Sequence, residues 1–306
     1  MSGRTLIVGS RGSRLALRQT EIALEALSAA DTDATFEVLT IRTAGDLTKA
    51  SLSEIGGRGV FVIEIERALL AGEIDIAVHS LKDLPAEETA GLAIAAVLQR
   101  EDPRDVLISR RKAKLDDLPH GAVVGTGSPR RAAQLIARRP DLHVTDIRGN
   151  VDSRIRKVRD GEYDAVVLAA AGLARLGWSR RASQTFDPDE MLPAPGQGAL
   201  AVQVRTEDIE TFALALSVDE PETRAAVEAE RAFERRLGGG CHAAIAALGE
   251  VIEDRLRLRG LVADPGGGRL IRGQFDGDVA YPESVGLMLA EELMQQGAAS
   301  LLEATA

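Results

Sequence analysis

Four times along the chain a short apolar run is followed by a polar turn and then by a stretch with helical spacing. No other feature limits the fold so strongly. Residues 5–8 lead through Gly9-Ser10-Arg11-Gly12-Ser13 into a helical pattern over 14–27 that carries Leu15, Leu17, Ile22, Leu24 and Leu27. Residues 122–125 lead through Thr126-Gly127-Ser128-Pro129 into a helix reaching Ala137, with Pro129 suited to its first turn. Residues 142–147 pass through Arg148-Gly149-Asn150 into a helix with Val151, Ile155 and Val158, and 165–168 run directly into Ala171-Gly172-Leu173-Ala174-Arg175. Such alternation predicts α/β architecture, with parallel sheets covered by helices.

The 306 residues suffice for two or three domains. Charged, proline-containing Arg100-Glu101-Asp102-Pro103-Arg104-Asp105 and the Pro/Gly-rich stretch 187–198 both read as crossovers between units. After Val218-Asp219-Glu220-Pro221 a helix places Ala226, Ala229, Phe233 and Leu237 on one face, and Gly238 closes it. Beyond it Leu256 and Leu258 alternate with Arg255, Arg257 and Arg259, residues 270–275 read as a strand, and 282–296 as a helix. The region from about 220 onward is therefore expected to be a small α+β domain.

A bilayer span needs about 20 apolar residues. The longest run without polar side chains, 165–174, is too short for that, and the N-terminus lacks a secretory hydrophobic core, so a cytoplasmic protein without a membrane is expected. The single cysteine, Cys241, excludes an internal disulfide and any multi-cysteine metal site, and no metal is expected. A net charge of −10 argues against a general nucleic-acid binder. Yet residues 128–181 hold eleven Arg and one Lys against six Asp or Glu, which points to an anionic ligand.

The turns explain where that ligand would sit. Helix N-termini and arginines at the carboxyl ends of strands form sites for carboxylates or phosphates, and Arg11, Ser13, Thr126, Ser128, Arg130, Arg131, Arg148, Arg154 and Arg175 all fall there. Any one arginine alone reads equally as a solvated surface residue. Walker and Gly-x-Gly-x-x-Gly patterns are absent, so nucleotide binding is not supported. Asp83, in His79-Ser80-Leu81-Lys82-Asp83 after the apolar run 74–78, reads either as a turn aspartate or as an acid, base or cation stabiliser. His79 reads as a packed, hydrogen-bonded histidine. Cys241, after Gly238-Gly239-Gly240, is either a reactive loop thiol or inert, and residues 51–59 are either a lid or a surface loop.

These motifs, with Gly56-Gly57-Arg58-Gly59, Arg148-Gly149-Asn150-Val151 and Gly196-Gln197-Gly198-Ala199, resemble in order and over essentially the whole chain the porphobilinogen deaminase (hydroxymethylbilane synthase) family. The resemblance implies a transferase that deaminates and condenses four porphobilinogens on an enzyme-bound dipyrromethane, then releases hydroxymethylbilane by hydrolysis. It implies two αβ lobes like those of type II periplasmic binding proteins plus a small α+β domain. Residues 1–99 and 199–217 would form domain 1, 100–198 domain 2 and 218–306 domain 3. A thioether on Cys241 would carry the cofactor, which Lys82, Asp83, Thr126, Ser128, Arg130, Arg131 and Arg154 would hold. Arg11, Ser13, Arg148, Arg154 and Arg175 would hold substrate, with Asp83 catalytic. A monomer with porphobilinogen as its partner is implied. The sequence departs from the family at Gly127, where many relatives have serine, at Ala244, where proline is frequent, and at Glu54 and Ile63, where some carry lysine. The rival reading is a non-catalytic binding module for a polycarboxylate or other small anion.

Overall fold

The computed structural model describes residues 4–43, 62–238 and 244–303. The lid candidate at 51–59 and the Cys241 loop lie outside these residues. Two compact units emerge: one from 4–43, 62–101 and 199–224, the other from the remaining described residues.

The first unit opens with β1 (Thr5–Arg11), α1 (Arg14–Ala30) and β2 (Thr35–Ile41), continues with α2 (Ile63–Leu70) and β3 (Ile76–Ser80), and reaches β4 (Leu92–Val97). β1 outlasts the expected 5–8. Gly9 sits so close to Ile74 that a Cβ would lie 2.4 Å from its methyl group, and buried Ser10 accepts a 2.8 Å hydrogen bond from Thr20 Oγ1. A satisfied polar residue can thus stay in a buried strand. β3 both starts and ends two residues later than the apolar run suggested, which brings His79 and Ser80 into the strand.

The second unit begins with β5 (Asp105–Ser109) and β6 (Val123–Gly125), followed by α3 (Pro129–Arg138), β7 (His143–Thr145) and α4 (Val151–Asp160). Next come β8 (Ala165–Ala169), α5 (Ala170–Arg175) and β9 (Gln184–Thr185). The helix starts follow their caps. Ser128 Oγ accepts from Arg131 N with Pro129 at the first position, and Asn150 Oδ1 accepts from Ser153 N at 3.0 Å. Gly161, at φ 87°, ends α4 in the left-handed conformation that glycine adopts without strain.

The chain then returns to the first sheet as β10 (Leu200–Arg205), with α6 (Ile209–Leu216) following. The sheet orders are β2-β1-β3-β10-β4 and β7-β6-β8-β5-β9. Both are mixed where parallel sheets were expected: β10 is antiparallel to β3 and β4, and β5 to β8 and β9. A strand buried on both faces has the same apolar run in either direction, so composition could not reveal this. The matching orders bear out two αβ lobes.

α7 (Pro221–Leu237) leads to a separate antiparallel sheet, β11 (Ala244–Ile252), β12 (Arg255–Ala263) and β13 (Leu270–Asp278). α8 (Pro282–Leu293) packs on it, ending before the expected 296 in a π turn where Gly297 has φ 101°. Ala226, Ala229, Phe233 and Leu237 share one core with Leu256, Leu258 and Leu289, as their periodicity indicated. Gly286 permits a close helix contact, since a Cβ there would lie 2.3 Å from Ala229 O.

Candidate active site

Each turn singled out in the sequence lies at the carboxyl end of a parallel strand, where open α/β sheets take ligands. In the first unit β1 ends at Arg11, Ser13 caps α1 by accepting from Ala16 N at 3.2 Å, and a 3₁₀ turn over Leu81–Asp83 follows β3. One pocket is lined by Arg11, Ser13, His79, Ser80 and Asp83, among others. Lys82 is half-buried beside it in sequence. The arrangement therefore offers a cation and a hydroxyl for ligand anions, and a carboxylate for ligand N–H groups or cations.

His79 is buried, as its sequence context indicated, and Nε2 lies 3.1 Å from Gln203 Oε1. Burial lowers its pKa and the Gln203 bond raises it, while the Arg11 charge lowers it further, to about 4.

In the second unit Thr126 and Ser128 form the turn before α3, with Thr126 Oγ1 accepting from Ser128 N at 3.2 Å. Arg130 and Arg131 point inward from the helix start and are 4% and 6% exposed. Both meet Asp105 at the head of β5. Arg130 Nη1 donates to Asp105 Oδ2 and Arg131 Nη2 to Asp105 Oδ1, each at 2.6 Å. Burial pushes the Asp105 carboxyl up, but the two guanidinium groups together hold it well below the usual range. Gln197 Nε2 adds 2.9 Å and 2.7 Å bonds to Asp105 Oδ1 and to Pro103 O. Sequence reasoning missed Asp105 and Gln197, taking both stretches for crossovers. The available signal was an acid opening the apolar strand Val106-Leu107-Ile108.

Arg148 and Arg154 flank the start of α4. Arg148 Nε donates to Asp146 Oδ2 at 3.0 Å, and Arg154 Nε to Gly149 O at 2.8 Å. A Cβ on Gly127 would lie 2.7 Å from Asp146 Oδ1, so this carboxylate occupies the space a residue larger than glycine would claim. Arg175 ends α5 and donates to Gly198 O at 2.7 Å. Arg11, Ser13 and Asp83 thus converge in one unit; in the other, Arg130, Arg131, Arg148 and Arg154 gather around two helix starts, while Arg175 stands at a helix end.

The model of the porphobilinogen deaminase dipyrromethane cofactor binding domain matches residues 6–213, and that of the porphobilinogen deaminase C-terminal domain matches 224–295. The porphobilinogen deaminase of Thermus thermophilus is 49% identical over 300 residues, covering 98% of both chains. That of Pelotomaculum thermopropionicum is 48% identical over 301 residues, covering 98% of this chain and 96% of its own. Among solved structures, the methionine binding protein MetQ is similar at TM-score 0.45 and 13% identity, over 70% of this chain and 89% of its own.

Proposed function

This chain belongs to the porphobilinogen deaminase family, and from that premise we propose how its residues carry out the reaction. The enzyme deaminates and condenses four porphobilinogens and releases hydroxymethylbilane, as part of tetrapyrrole synthesis. The observation that carries the reading is Asp83 in a pocket with Arg11 and Ser13.

The donor set fits a dipyrromethane. Its pyrrole N–H groups call for an acceptor, which Asp83 supplies, and its acetate and propionate groups call for the hydroxyls and cations of Thr126, Ser128, Lys82, Arg130, Arg131 and Arg154. When bound, the cofactor supplies the carbon nucleophile to which the first substrate is joined. Cys241 is its attachment point in this proposal, as the only thiol in the chain.

Asp83 orients substrate N–H groups and sets a negative charge beside the cation left when porphobilinogen loses ammonia. Fixed charge aimed at developing charge lowers a barrier most. Arg11, Ser13, Arg148, Arg154 and Arg175 hold the carboxylates of incoming and growing pyrroles. Buried Asp105 holds Arg130 and Arg131 at the start of α3, so those two serve both the fold and the cofactor.

The domain division 1–99 with 199–217, 100–198 and 218–306 is part of this proposal, supported by β10 pairing in the first sheet and by the separate sheet of β11–β13. So are a monomeric state, a cytoplasmic location and the absence of a nucleic-acid partner. Among the described residues no helix is long and apolar enough to cross a membrane. A purely anion-binding module is not favoured, because similarity to deaminases spans nearly the full length. Incubation with porphobilinogen tests the reading: four ammonia per hydroxymethylbilane are expected, and unconsumed porphobilinogen would overturn it.

A further inference from the structure

The Asp83 pocket contains a second group whose protonation is fixed from behind. Thr89 Oγ1 donates to Glu66 Oε2 at 2.8 Å, and Gln203 Nε2 donates to Glu66 Oε1 at 2.9 Å. A carboxylate only accepts, so the Gln203 amide nitrogen must face Glu66 and its oxygen must face His79. That oxygen also only accepts, so the proton of the neutral imidazole sits on Nε2. Nδ1 is left as a bare lone pair with no hydrogen-bond partner among the described residues, on a side chain 6% exposed that lines the pocket of Arg11, Ser13 and Asp83.

An acceptor on a residue that lines a pocket can take a hydrogen bond from a donor that enters it. A carboxylate cannot supply one, since its oxygens would face the lone pair. Arg11 and Ser13 take ligand acceptors, whereas Asp83 and His79 take ligand donors, so the pocket favours a ring with N–H on one edge and acid groups on another. We propose that His79 is a further substrate-binding residue, whose Nδ1 accepts a hydrogen bond from a pyrrole N–H of the ligand held at Asp83. This rests on the deaminase reading and deepens it. His79 transfers no proton. It sets the angle at which the ring meets Asp83, and it discriminates against five-membered rings without N–H.

Two substitutions separate this role from packing. In His79→Gln the longer amide reaches the Nε2 position and keeps the Gln203 link, but Nδ1 is lost. In His79→Asn the shorter amide presents its oxygen near the Nδ1 position. With cofactor content verified by mass, His79→Gln should keep the parent's thermal midpoint and lose about tenfold in kcat/KM, the scale of one neutral hydrogen bond, while His79→Asn keeps most of it. In histidine-labelled holoenzyme, the ¹⁵N resonance of Nδ1 should lie in the unprotonated range and move toward the hydrogen-bonded range when porphobilinogen is added. That signal decides the matter even if a variant fails to fold. An unmoved Nδ1 resonance, or unimpaired His79→Gln beside an active parent, refutes the role of His79 alone. A parent that consumes no porphobilinogen refutes the deaminase reading and this inference with it.

Discussion

Replacing Asp105 with Asn removes the carboxylate that Arg130 and Arg131 share, in a site where Asp105 is fully buried. The guanidinium groups then remain in a low-dielectric interior beside a neutral amide. Breaking a buried ion pair from one side costs about 3–5 kcal/mol. At about 2–4 °C per kcal/mol for domains of this scale, the thermal midpoint should fall on the order of 10 °C. The pH dependence has a definite sign. The folded pKa of Asp105 is depressed, so its stabilisation is fully present above the ordinary aspartate value of about 4 and is lost as pH falls through the folded value. Denaturant titrations of parent and variant from neutral to acid pH should therefore show a gap that is widest near neutrality and narrows on acidification. Cofactor loading should fall in parallel, since α3 loses the anchor of its first turn. Equal stability at neutral pH, or a gap that stays constant into acid, would refute the reasoning.

Asp83→Asn should lower ammonia release by about 100-fold or more with an unchanged thermal midpoint, because the shape survives and the charge does not. Asp83→Glu should keep part of the activity in the same assay. Arg11→Leu and Arg148→Leu should retain the cofactor mass and accumulate partly elongated species in intact-mass spectra. Arg131→Leu should instead lose cofactor and also melt lower, since its side chain is 8% exposed and shares Asp105 with Arg130.

The strand-to-helix turns were legible because their chemistry is local. Ser13, Ser128 and Asn150 fall in those turns and cap the helices that follow, which leaves Arg11 and Arg148 beside the carboxyl ends of their strands. Strand direction was not legible, because β5 and β10 have the same apolar composition whichever way they run. The Asp105 cluster was hidden for a related reason. It joins residues 105, 130, 131 and 197, and sequence proximity gives no sign that a crossover acid lies beneath a helix start. The basic surplus over 128–181 was read as a ligand signal, and part of it instead balances acids outside that segment, such as Asp105 and Glu190. His79 was read correctly as packed. Its orientation emerged only with Gln203 and Glu66, which lie far away in the chain.

The central claim is covalent chemistry at the single thiol, and the mass of the intact protein tests it most directly. Material purified from cells that make porphobilinogen should exceed the calculated chain mass by one dipyrromethane, and proteolysis should assign the excess to the peptide holding Gly240, Cys241 and His242. Dithiothreitol should leave it in place, because a thioether is not exchanged by thiols, and Cys241→Ala should carry no adduct. A parent chain of unmodified mass that stays unmodified after incubation with porphobilinogen would contradict the account.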